Sequence, residues 1–327
     1  MNNSKHLHIA IAADDNYARF AATLIYSVIT SNTTYFDGIT FHLLSNNINP
    51  SNVAKIESLI HYNHIDLKIY DISDLSKRLG IEVPQTIALT AYARLFLPQI
   101  INDDISRILY LDTDTIVLSN LSLLWEYDLK HYYVGGCLDI FEGTKAKTDV
   151  GLYKTDPYIN SGMLLINLDK WRKDDLSSNF INFLLSHNGK VHHHDQGIIN
   201  GVCKEKVLLL PPEYNIHSSV ISHPYRLISK ITIPYYSREE YKHALDNPVI
   251  IHFTEGFYNR PWKKNCRHPY KQTFLNIQEN TPWADVPMMP DKRTSVVKLL
   301  SFVFLNFPYP VYKIASRIIS AISHIKS

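Results

Sequence analysis

The chain of 327 residues is 45% hydrophobic and 20% charged, so it can bury a sizeable core as one large α/β domain or as a domain with an appendage. Its net charge of +2 provides no overall attraction for nucleic acid, and we expect no nucleic-acid partner. Three cysteines without a C-x-x-C pair argue against a disulfide framework or a zinc ribbon and indicate a reducing compartment. Asp14 and Asp15 interrupt the first apolar run too early for a signal peptide, and no run reaches the roughly 20 apolar residues of a spanning helix, so we expect a cytoplasmic protein.

Strand-like and helix-like segments alternate along the first part of the chain. In order, the sequence predicts a strand at Leu7–Ala13, a helix after the capping residues 14–16, a strand at Ile39–Leu44, a helix at Pro50–Tyr62, a strand at Leu67–Ile72 and a helix at Thr90–Leu97 that Pro98 ends. This alternation predicts a mostly parallel sheet with helices on both faces. Further along, Gly135-Gly136 and Ser161-Gly162 mark places where the backbone must turn or approach another group closely.

Two carboxylates follow the next apolar strand, which begins at Arg107. Asp112 and Asp114 come where this strand ends, and open α/β sheets place their ligands at the carboxyl ends of strands. Because alternate residues of an extended segment point the same way, both carboxylates can face one cation. Hard oxygen ligands suit Mg²⁺ or Mn²⁺ with phosphate oxygens completing the shell. A D-x-D pair also arises wherever a strand gives way to a loop, so the pattern alone leaves both readings open.

Other polar residues are predicted at the same edge. His252 follows the apolar run Val249–Ile251, and a mixed set of oxygen and imidazole ligands favours Mn²⁺ over Ca²⁺. Arg260 and Lys263 supply cations that can neutralise a diphosphate, although an exposed basic loop would look the same. The three histidines 192–194 make a poor chelate because adjacent residues face different sides of a helix. Asp195 and Gln196 instead begin a helix and point into a pocket.

The C-terminal tail differs from the rest of the chain. From Lys292 to Ser327 the sequence contains basic residues between aromatic and aliphatic ones and no acidic residue. This composition predicts a helical segment in the interface of a membrane with anionic lipids. Pro308 and Pro310 divide it into two pieces, which argues against a spanning helix. The alternative is a helical hairpin packed on the core.

The order of these pieces resembles the retaining glycosyltransferases of family 8, especially the bacterial lipopolysaccharide galactosyl- and glucosyltransferases. The motifs that carry the resemblance are Ala12-Ala-Asp-Asp-Asn-Tyr17, Thr90-Ala-Tyr-Ala-Arg94-Leu, Leu109-Tyr-Leu-Asp-Thr-Asp114, Cys137-Leu-Asp139-Ile-Phe, Ile159-Asn160-Ser-Gly162-Met-Leu-Leu-Ile-Asn167, His194-Asp-Gln196 and His252-Phe…Arg260-Pro-Trp262. The resemblance implies a Rossmann-like GT-A fold, with residues 1–270 as the transferase domain and residues 271–327 as an extension that binds the membrane interface. It departs from the family at Thr86, where a histidine is common, at Glu255, and at Arg260, which replaces a lysine and follows two extra residues.

The resemblance also implies the ligands and the residues that hold them. Mn²⁺, with Mg²⁺ as the alternative, would bind Asp112, Asp114 and His252. A UDP-sugar donor would contact Ala13, Asp14, Asn16, Tyr17, Ile87, Arg94, Asp112, Thr113, Gly256 and Arg260. The transferred sugar would lie among Asn160, Asp195 and Gln196, which we expect to be the catalytic residues, and Asp139 would face the acceptor.

The expected activity is Mn²⁺-dependent transfer of galactose or glucose from a UDP-sugar, with retention, to a lipopolysaccharide, a lipooligosaccharide or another cell-surface glycan. The expected location is the inner face of the cytoplasmic membrane, reached through the tail. Asp112-Thr-Asp114-Thr115 also fits the D-x-D-x-[TV] motif of haloacid-dehalogenase-like phosphatases, in which the first Asp is a nucleophile. That motif usually lies on the first strand, with a late acidic pair that we do not find here. A non-catalytic nucleotide-sugar-binding protein is the third alternative.

Overall fold

The structure is a computed structural model that describes residues 5–75, 77, 89–140, 144–231, 233 and 235–316. Ile87 and Thr86, and the end of the tail from residue 317, lie outside the described residues. The strands are β1 (His6–Asp14), β2 (Gly38–Asn46), β3 (Ile65–Asp71), β4 (Arg107–Leu111), β5 (Thr115–Val117), β6 (Val134–Leu138), β7 (Ile159–Asn167), β8 (Val207–Leu209), β9 (Ile216–His217) and β10 (Ile250–His252).

The α-helices are α1 (Ala18–Asn32), α2 (Pro50–Glu57), α3 (Leu89–Ala93), α4 (Leu97–Ile100), α5 (Ser122–Trp125), α6 (Thr144–Asp149), α7 (Leu168–Lys173), α8 (Leu176–Ser186), α9 (His194–Cys203), α10 (Ser218–Ser222), α11 (Tyr225–Ile231), α12 (Arg238–Asp246), α13 (Lys271–Gln278) and α14 (Ser295–Asn306). A further helical stretch begins at residue 309 and is described to residue 316. Short 3-10 turns lie at Asp15–Tyr17, Arg94–Phe96, Lys204–Lys206 and Pro212–Tyr214.

The main sheet has seven strands in the order β3-β2-β1-β4-β7-β6-β8. All neighbouring pairs are parallel except those of β7, which runs antiparallel to β4 and to β6. β1 packs on both faces: Ile9 and Ile11 lie in the same core cluster as α1, whereas Ala10 and Ala12 pack with α3 on the other side. Burial on both faces explains why β1 is apolar almost throughout. The predicted α/β class and the mostly parallel sheet are confirmed.

A second, smaller sheet corrects the predicted setting of the metal ligands. Its strands have the order β5-β10-β9, with β10 antiparallel to β5 and parallel to β9. His252 therefore ends a strand of this sheet and not of the main parallel sheet. Asp112 and Asp114 lie in a turn between β4 and β5, not in an extended segment, so strand alternation does not explain why their side chains converge.

Two predicted helices also differ from the structure. α2 ends at Glu57 and not at Tyr62. Pro98 does not end a helix, because it lies in the first turn of α4, after α3 and a 3-10 turn. The first turn tolerates proline since the N–H groups there have no partner within the helix.

The described part of the chain beyond residue 270, which ends at residue 316, packs against the rest of the fold. Phe274 of α13 contacts Phe253 and Trp262, with ring centroids 5.4 and 5.3 Å away. Phe304 of α14 stacks on Phe257 at 3.9 Å. None of the helices in the described ranges is both long and apolar enough to cross a bilayer.

Candidate active site

A cleft of about 210 Å³ opens at the carboxyl ends of β1 and β4. Its lining comes from both strand ends, from α3 and the turn after it, and from the loop after β10: Ala12, Ala13, Asp14, Tyr17, Thr90, Ala91, Arg94, Tyr110, Asp112, Thr113, Asp114 and Arg260. Most of the predicted donor contacts therefore lie together. Asn16 is exposed in the adjacent 3-10 turn, and Gly256 borders a neighbouring cavity instead.

The turn after β1 separates the roles of its two carboxylates. Asp14 caps the turn by accepting a hydrogen bond from Tyr17 N at 3.1 Å, and its side chain lines the cleft. Asp15 Oδ1 accepts from Asn49 N at 2.9 Å and from Asn52 Nδ2 at 2.9 Å. These hydrogen bonds lower the pKa of Asp15. Asp15 therefore fastens the end of β1 to α2, and Asp14 is the carboxylate available to a ligand.

The turn between β4 and β5 brings the predicted metal ligands together. Asp112, Asp114 and His252 each offer a ligand atom, and these atoms lie within 4.8 Å of one another. The register of the small sheet pairs His252 with Thr115, which places the imidazole beside Asp114. His252 Nε2 is 3.2 Å from Asp114 Oδ1. Arg260 approaches the same carboxylate, with Nη2 3.1 Å from Oδ2.

The electrostatics of Asp114 suit a cation site. Burial alone would raise its pKa, but the charges of His252 and Arg260 outweigh this and lower the pKa to about 2. The carboxylate is therefore ionised, which is the form that binds a cation. Two carboxylates and one imidazole form the ligand set that favours Mn²⁺ or a related divalent ion. These residues fit the metal that the sequence predicts.

Asn215 orients His252 and was not predicted from the sequence. Its Oδ1 accepts from His252 Nδ1 at 3.1 Å, which turns Nε2 toward Asp114. Its Nδ2 donates to Asn160 Oδ1 at 3.0 Å. A hydrogen bond to the second ring nitrogen is the usual way in which proteins fix a metal-binding histidine. A lone Asn in a loop has no sequence signal that could have shown this role.

Arg94 connects the metal ligands to the predicted catalytic helix. Its Nη2 is 2.8 Å from Asp112 Oδ1, and its Nε is 3.2 Å from Asp195 Oδ2. Its guanidinium also lies 4.2 Å from the centre of the Tyr110 ring, and Tyr110 donates to Asp112. Burial lowers the pKa of Arg94, but the charges of Asp112 and Asp195 outweigh it and the pKa is raised. The buried cation thus balances the buried carboxylate of Asp195 and the partly buried carboxylate of Asp112. Tyr110 precedes Asp112 by two residues, a spacing that could have indicated this contact.

The three predicted catalytic residues and the predicted acceptor residue form one hydrogen-bonded group. Gln196 Oε1 accepts from Asn160 Nδ2 at 3.0 Å and from Ser161 N at 3.1 Å. Gln196 Nε2 and Asn160 Nδ2 both donate to Asp139 Oδ2 at 3.2 Å. Asp195 Oδ2 accepts from Ser161 Oγ at 2.9 Å. These contacts bring α9, β7 and the end of β6 together beside the metal ligands.

Gly162 lies directly against two of the metal ligands, where a side chain would not fit. A Cβ atom at this position would lie 2.3 Å from His252 Cε1 and 2.9 Å from Asp112 Oδ2. The predicted close approach at Ser161-Gly162 is therefore confirmed, since only glycine fits between these two side chains.

His217 is a further residue that the sequence did not indicate. Its Nε2 is buried without a hydrogen-bond partner in the described part of the chain, and its ring lies 5.8 Å from that of His252.

Comparisons with known proteins identify the family of the chain. The sequence model of glycosyl transferase family 8 matches residues 8–266. The chain is 27% identical to general stress protein A of Bacillus subtilis, over 86% of this chain and 96% of that protein. It is 26% identical to lipopolysaccharide 1,2-glucosyltransferase of Escherichia coli K12, over 87% of this chain and 81% of the relative. The crystal structure of galactosyltransferase LgtC in complex with donor and acceptor sugar analogs matches with a TM-score of 0.70 and 25% identity, over 84% and 96% of the two chains. The chain therefore belongs to glycosyl transferase family 8 and has its GT-A fold.

Proposed function

We propose that this protein transfers galactose or glucose from a UDP-sugar to a lipopolysaccharide, a lipooligosaccharide or another cell-surface glycan, with retention of anomeric configuration. The observation that carries the proposal is the convergence of Asp112, Asp114 and His252 beside the hydrogen-bonded group of Asp195 and Gln196. The relatives support the same class, since one acts as a lipopolysaccharide glucosyltransferase and another is a galactosyltransferase bound to sugar analogs.

Asp112, Asp114 and His252 would hold Mn²⁺, with Mg²⁺ as the second choice. A divalent cation bound there would supply Lewis-acid stabilisation of the charge on the departing UDP. In the proposed complex Asp14, Asn16 and Ile87 contact the uridine and ribose, while Ala13, Tyr17 and Thr113 line the same pocket.

Arg260 is the protein cation that we assign to the β-phosphate. Arg260 lines the cleft and forms an ion pair with Asp114. Lys263 was predicted to help, but its Nζ is 2.7 Å from Glu255 Oε1. The unusual Glu255 thus neutralises Lys263 and leaves the diphosphate role to Arg260. The forked guanidinium can donate to two phosphate oxygens at once.

The arrangement around Gln196 favours attack from the face that the leaving group vacates. An amide oxygen is weakly nucleophilic, and this one already accepts two hydrogen bonds, from Asn160 and Ser161. Asp195 is bound to Arg94 and Ser161, which suits orientation of the sugar more than covalent attack. Asp139, which accepts from Gln196 and Asn160, would orient the acceptor hydroxyl at the other side of the same group.

The two alternative functions receive less support. In a haloacid-dehalogenase-like phosphatase Asp112 would be the nucleophile, but its Oδ1 is engaged by Arg94 and Tyr110. A non-catalytic binding protein would need no ordered group at Asn160, Asp195 and Gln196.

The tail supports a membrane-borne acceptor. α14 leaves several apolar side chains in contact with solvent, among them Val296, Leu299 and Phe302. With the basic residues around them, they suit the interface of an anionic membrane. We therefore place the protein in the cytoplasm, bound peripherally to the inner face of the cytoplasmic membrane.

The first test is UDP release from a panel of UDP-sugars, with Mn²⁺ and with EDTA, in the absence of acceptor. We expect release from one UDP-hexose that EDTA abolishes, because slow donor hydrolysis needs the same leaving-group stabilisation as transfer.

Asp114→Asn should lower this release by about 100-fold or more, since it removes a charged ligand of the cation. Normal Mn²⁺-dependent turnover by Asp114→Asn would contradict the metal assignment. Phosphate release from a generic phosphoester instead of UDP release would favour the phosphatase, and UDP binding without turnover would favour the binding protein.

A further inference from the structure

The loop after β10 carries Gly256 and Arg260, and the segment that leads into α14 holds this loop from outside. The first contact is at Met289, whose N–H donates to Trp262 O at 2.8 Å and whose carbonyl accepts from Lys264 N at 2.8 Å. Trp262 is buried against Phe253. These two backbone hydrogen bonds fix the end of the loop but leave its tip, around Gly256, to other contacts.

Arg293 makes the contact at the tip. Its Nε donates to Asp291 Oδ1 at 3.0 Å and its Nη2 donates to Asp291 Oδ2 at 3.1 Å, which makes a bidentate ion pair. Its Nη1 lies 3.5 Å from Gly256 O, 3.3 Å from Phe257 O and 3.2 Å from Ser301 Oγ of α14. The side chains of Arg293 and Asp291 are only 10% and 3% exposed. One buried guanidinium therefore joins the loop, the segment before α14 and α14 itself.

Aromatic packing also holds the tip of the loop. The Phe257 ring stacks on Phe304 at 3.9 Å with an interplanar angle of 17° and meets the edge of Tyr312 at 5.2 Å. Gly256, by contrast, has no neighbour within 4 Å of the position a Cβ would take, and it borders a cavity of about 620 Å³. Within the loop, Asn259 N donates to Gly256 O at 3.2 Å. Arg293 and the aromatic contacts of Phe257 add the cross-links from the tail to the tip, where space lies open beside Gly256.

We propose that Arg293 is a positioning residue for the sugar-nucleotide donor: it contacts the carbonyl groups of Gly256 and Phe257 and so holds the loop that presents Arg260 to the diphosphate. This inference rests on the proposed function, in which Arg260 contacts the diphosphate of the donor. Arginine is required at this position because a planar fork of five N–H donors can bind a carboxylate and backbone carbonyls together, whereas a lysine ammonium is a single point charge. The tail is thereby part of the donor site and does more than attach the protein to a surface.

The test compares Arg293→Gln with Arg267→Gln in the full chain. Arg267 is a matched control because its side chain also joins the domain to α14, 5.5 Å from the centre of the Phe302 ring and 3.3 Å from Asn306 Oδ1. For Arg293→Gln we expect the KM for the UDP-sugar to rise about tenfold while kcat changes by less than about twofold, as for a lost ground-state contact. Arg293→Lys should recover only part of the loss.

A second readout needs neither donor nor metal. Amide hydrogen exchange of residues 254–258 should be faster in Arg293→Gln than in Arg267→Gln, because the loop loses its cross-link. Since Arg293→Gln leaves a buried Asp291 unpaired, Asp291→Asn/Arg293→Gln is made as well; it removes both charges and should show the same rise in KM with a stable fold.

The outcomes separate this inference from the proposed function. In one outcome the wild-type chain turns over its donor, and both variants at Arg293 have the same KM and the same exchange rates as Arg267→Gln. This would overturn the role of Arg293 and leave the transferase proposal standing. A wild-type chain that neither binds nor releases UDP would overturn the proposed function, and the donor role of Arg293 with it.

Discussion

At the scale of single residues, the site combines buried charges that compensate one another. Asp112 and Asp195 are both negative, and Arg94 lies between them. Asp114 faces Arg260 and His252 in the same way. A buried charge without a partner destabilises the folded state. Removing one member of such a group therefore lowers stability, because the opposite charge is left buried and unpaired. The resemblance implies that Arg94 lies near the donor sugar. In the structure Arg94 lines the cleft and also binds protein carboxylates and Ser161 O.

Gly162→Ala tests the close packing of the metal ligands. The added methyl group would overlap the imidazole of His252 and the carboxylate of Asp112, so the ligands must move apart. We expect Mn²⁺ affinity and Mn²⁺-dependent UDP release to fall by about 10- to 100-fold, the range seen when ligand orientation is disturbed. The measurements are a Mn²⁺ titration by calorimetry and the UDP-release assay.

Gly135→Ala is the control for this substitution. Its Cβ would lie 3.1 Å from Leu210 Cδ1, a crowded position in the core without a metal ligand as neighbour. This variant should lose stability and keep its Mn²⁺ affinity. Equal Mn²⁺ affinities for wild type and Gly162→Ala would mean that Asp112 and His252 do not share one ion.

At the scale of elements, β1, β2 and β3 carry a buried polar row on one face. His8 Nδ1 is 3.2 Å from His42 Nε2, and His42 Nδ1 is 3.0 Å from the Tyr70 hydroxyl. Burial lowers the pKa of His8 to about 4 and that of His42 to about 3. The charges of His6 and Lys68 act in the same direction, while Asp104 opposes them at His8.

These histidines make the stability of the sheet depend on pH. In the folded state both are neutral down to about pH 4, whereas in the unfolded chain a histidine takes up a proton below its model value of 6.5. The unfolded state therefore binds more protons in this range, and the free energy of unfolding falls as the pH drops from 6.5 toward 4. Between about pH 7 and pH 5, His42 should account for a loss of about 1–2 kcal/mol.

His42→Gln tests this pH dependence. Glutamine keeps a polar side chain against Tyr70 but does not titrate, so the loss of stability between the two pH values should be smaller by that amount. Urea unfolding at both pH values measures it. His131→Gln, at an exposed position, is the control and should retain the full dependence of the wild type. An undiminished loss in His42→Gln would show that its proton uptake is the same in both states.

At the scale of the whole molecule, the tail up to residue 316 is both packed on the domain and partly exposed. The expectation of a membrane-binding segment and its alternative, a packed helical hairpin, describe two faces of the same helix. Phe304 packs on Phe257, and Ser301 accepts a hydrogen bond from Arg293. Leu299 and Phe302 remain 52% and 47% exposed. Membrane attachment through this exposed face stays a prediction.

Leu299→Glu/Phe302→Glu tests the attachment. Both substitutions put charge on the exposed face, where burial of each apolar side chain in the interface would contribute about 1.5–3 kcal/mol. Binding to vesicles that contain anionic lipid should fall by about tenfold or more in a sedimentation assay. Gln272→Glu/Asn276→Glu adds the same charge to exposed positions of α13 and should bind nearly as wild type. If both double variants lose binding equally, the effect is one of net charge and not of this face.

The class of the fold and the identity of the metal-ligand candidates could be predicted from the sequence. Hydrophobic periodicity is a local property, so β1, β2, β3 and β4 were predicted close to their observed bounds, and the order of the motifs pointed to the family. How the ligands meet could not be predicted, because a turn and the register of a second sheet place Asp112, Asp114 and His252 together. The tertiary structure also revealed Asn215 and Arg293, because each acts through hydrogen bonds to residues far away in the chain, and such contacts leave no periodic pattern in the sequence.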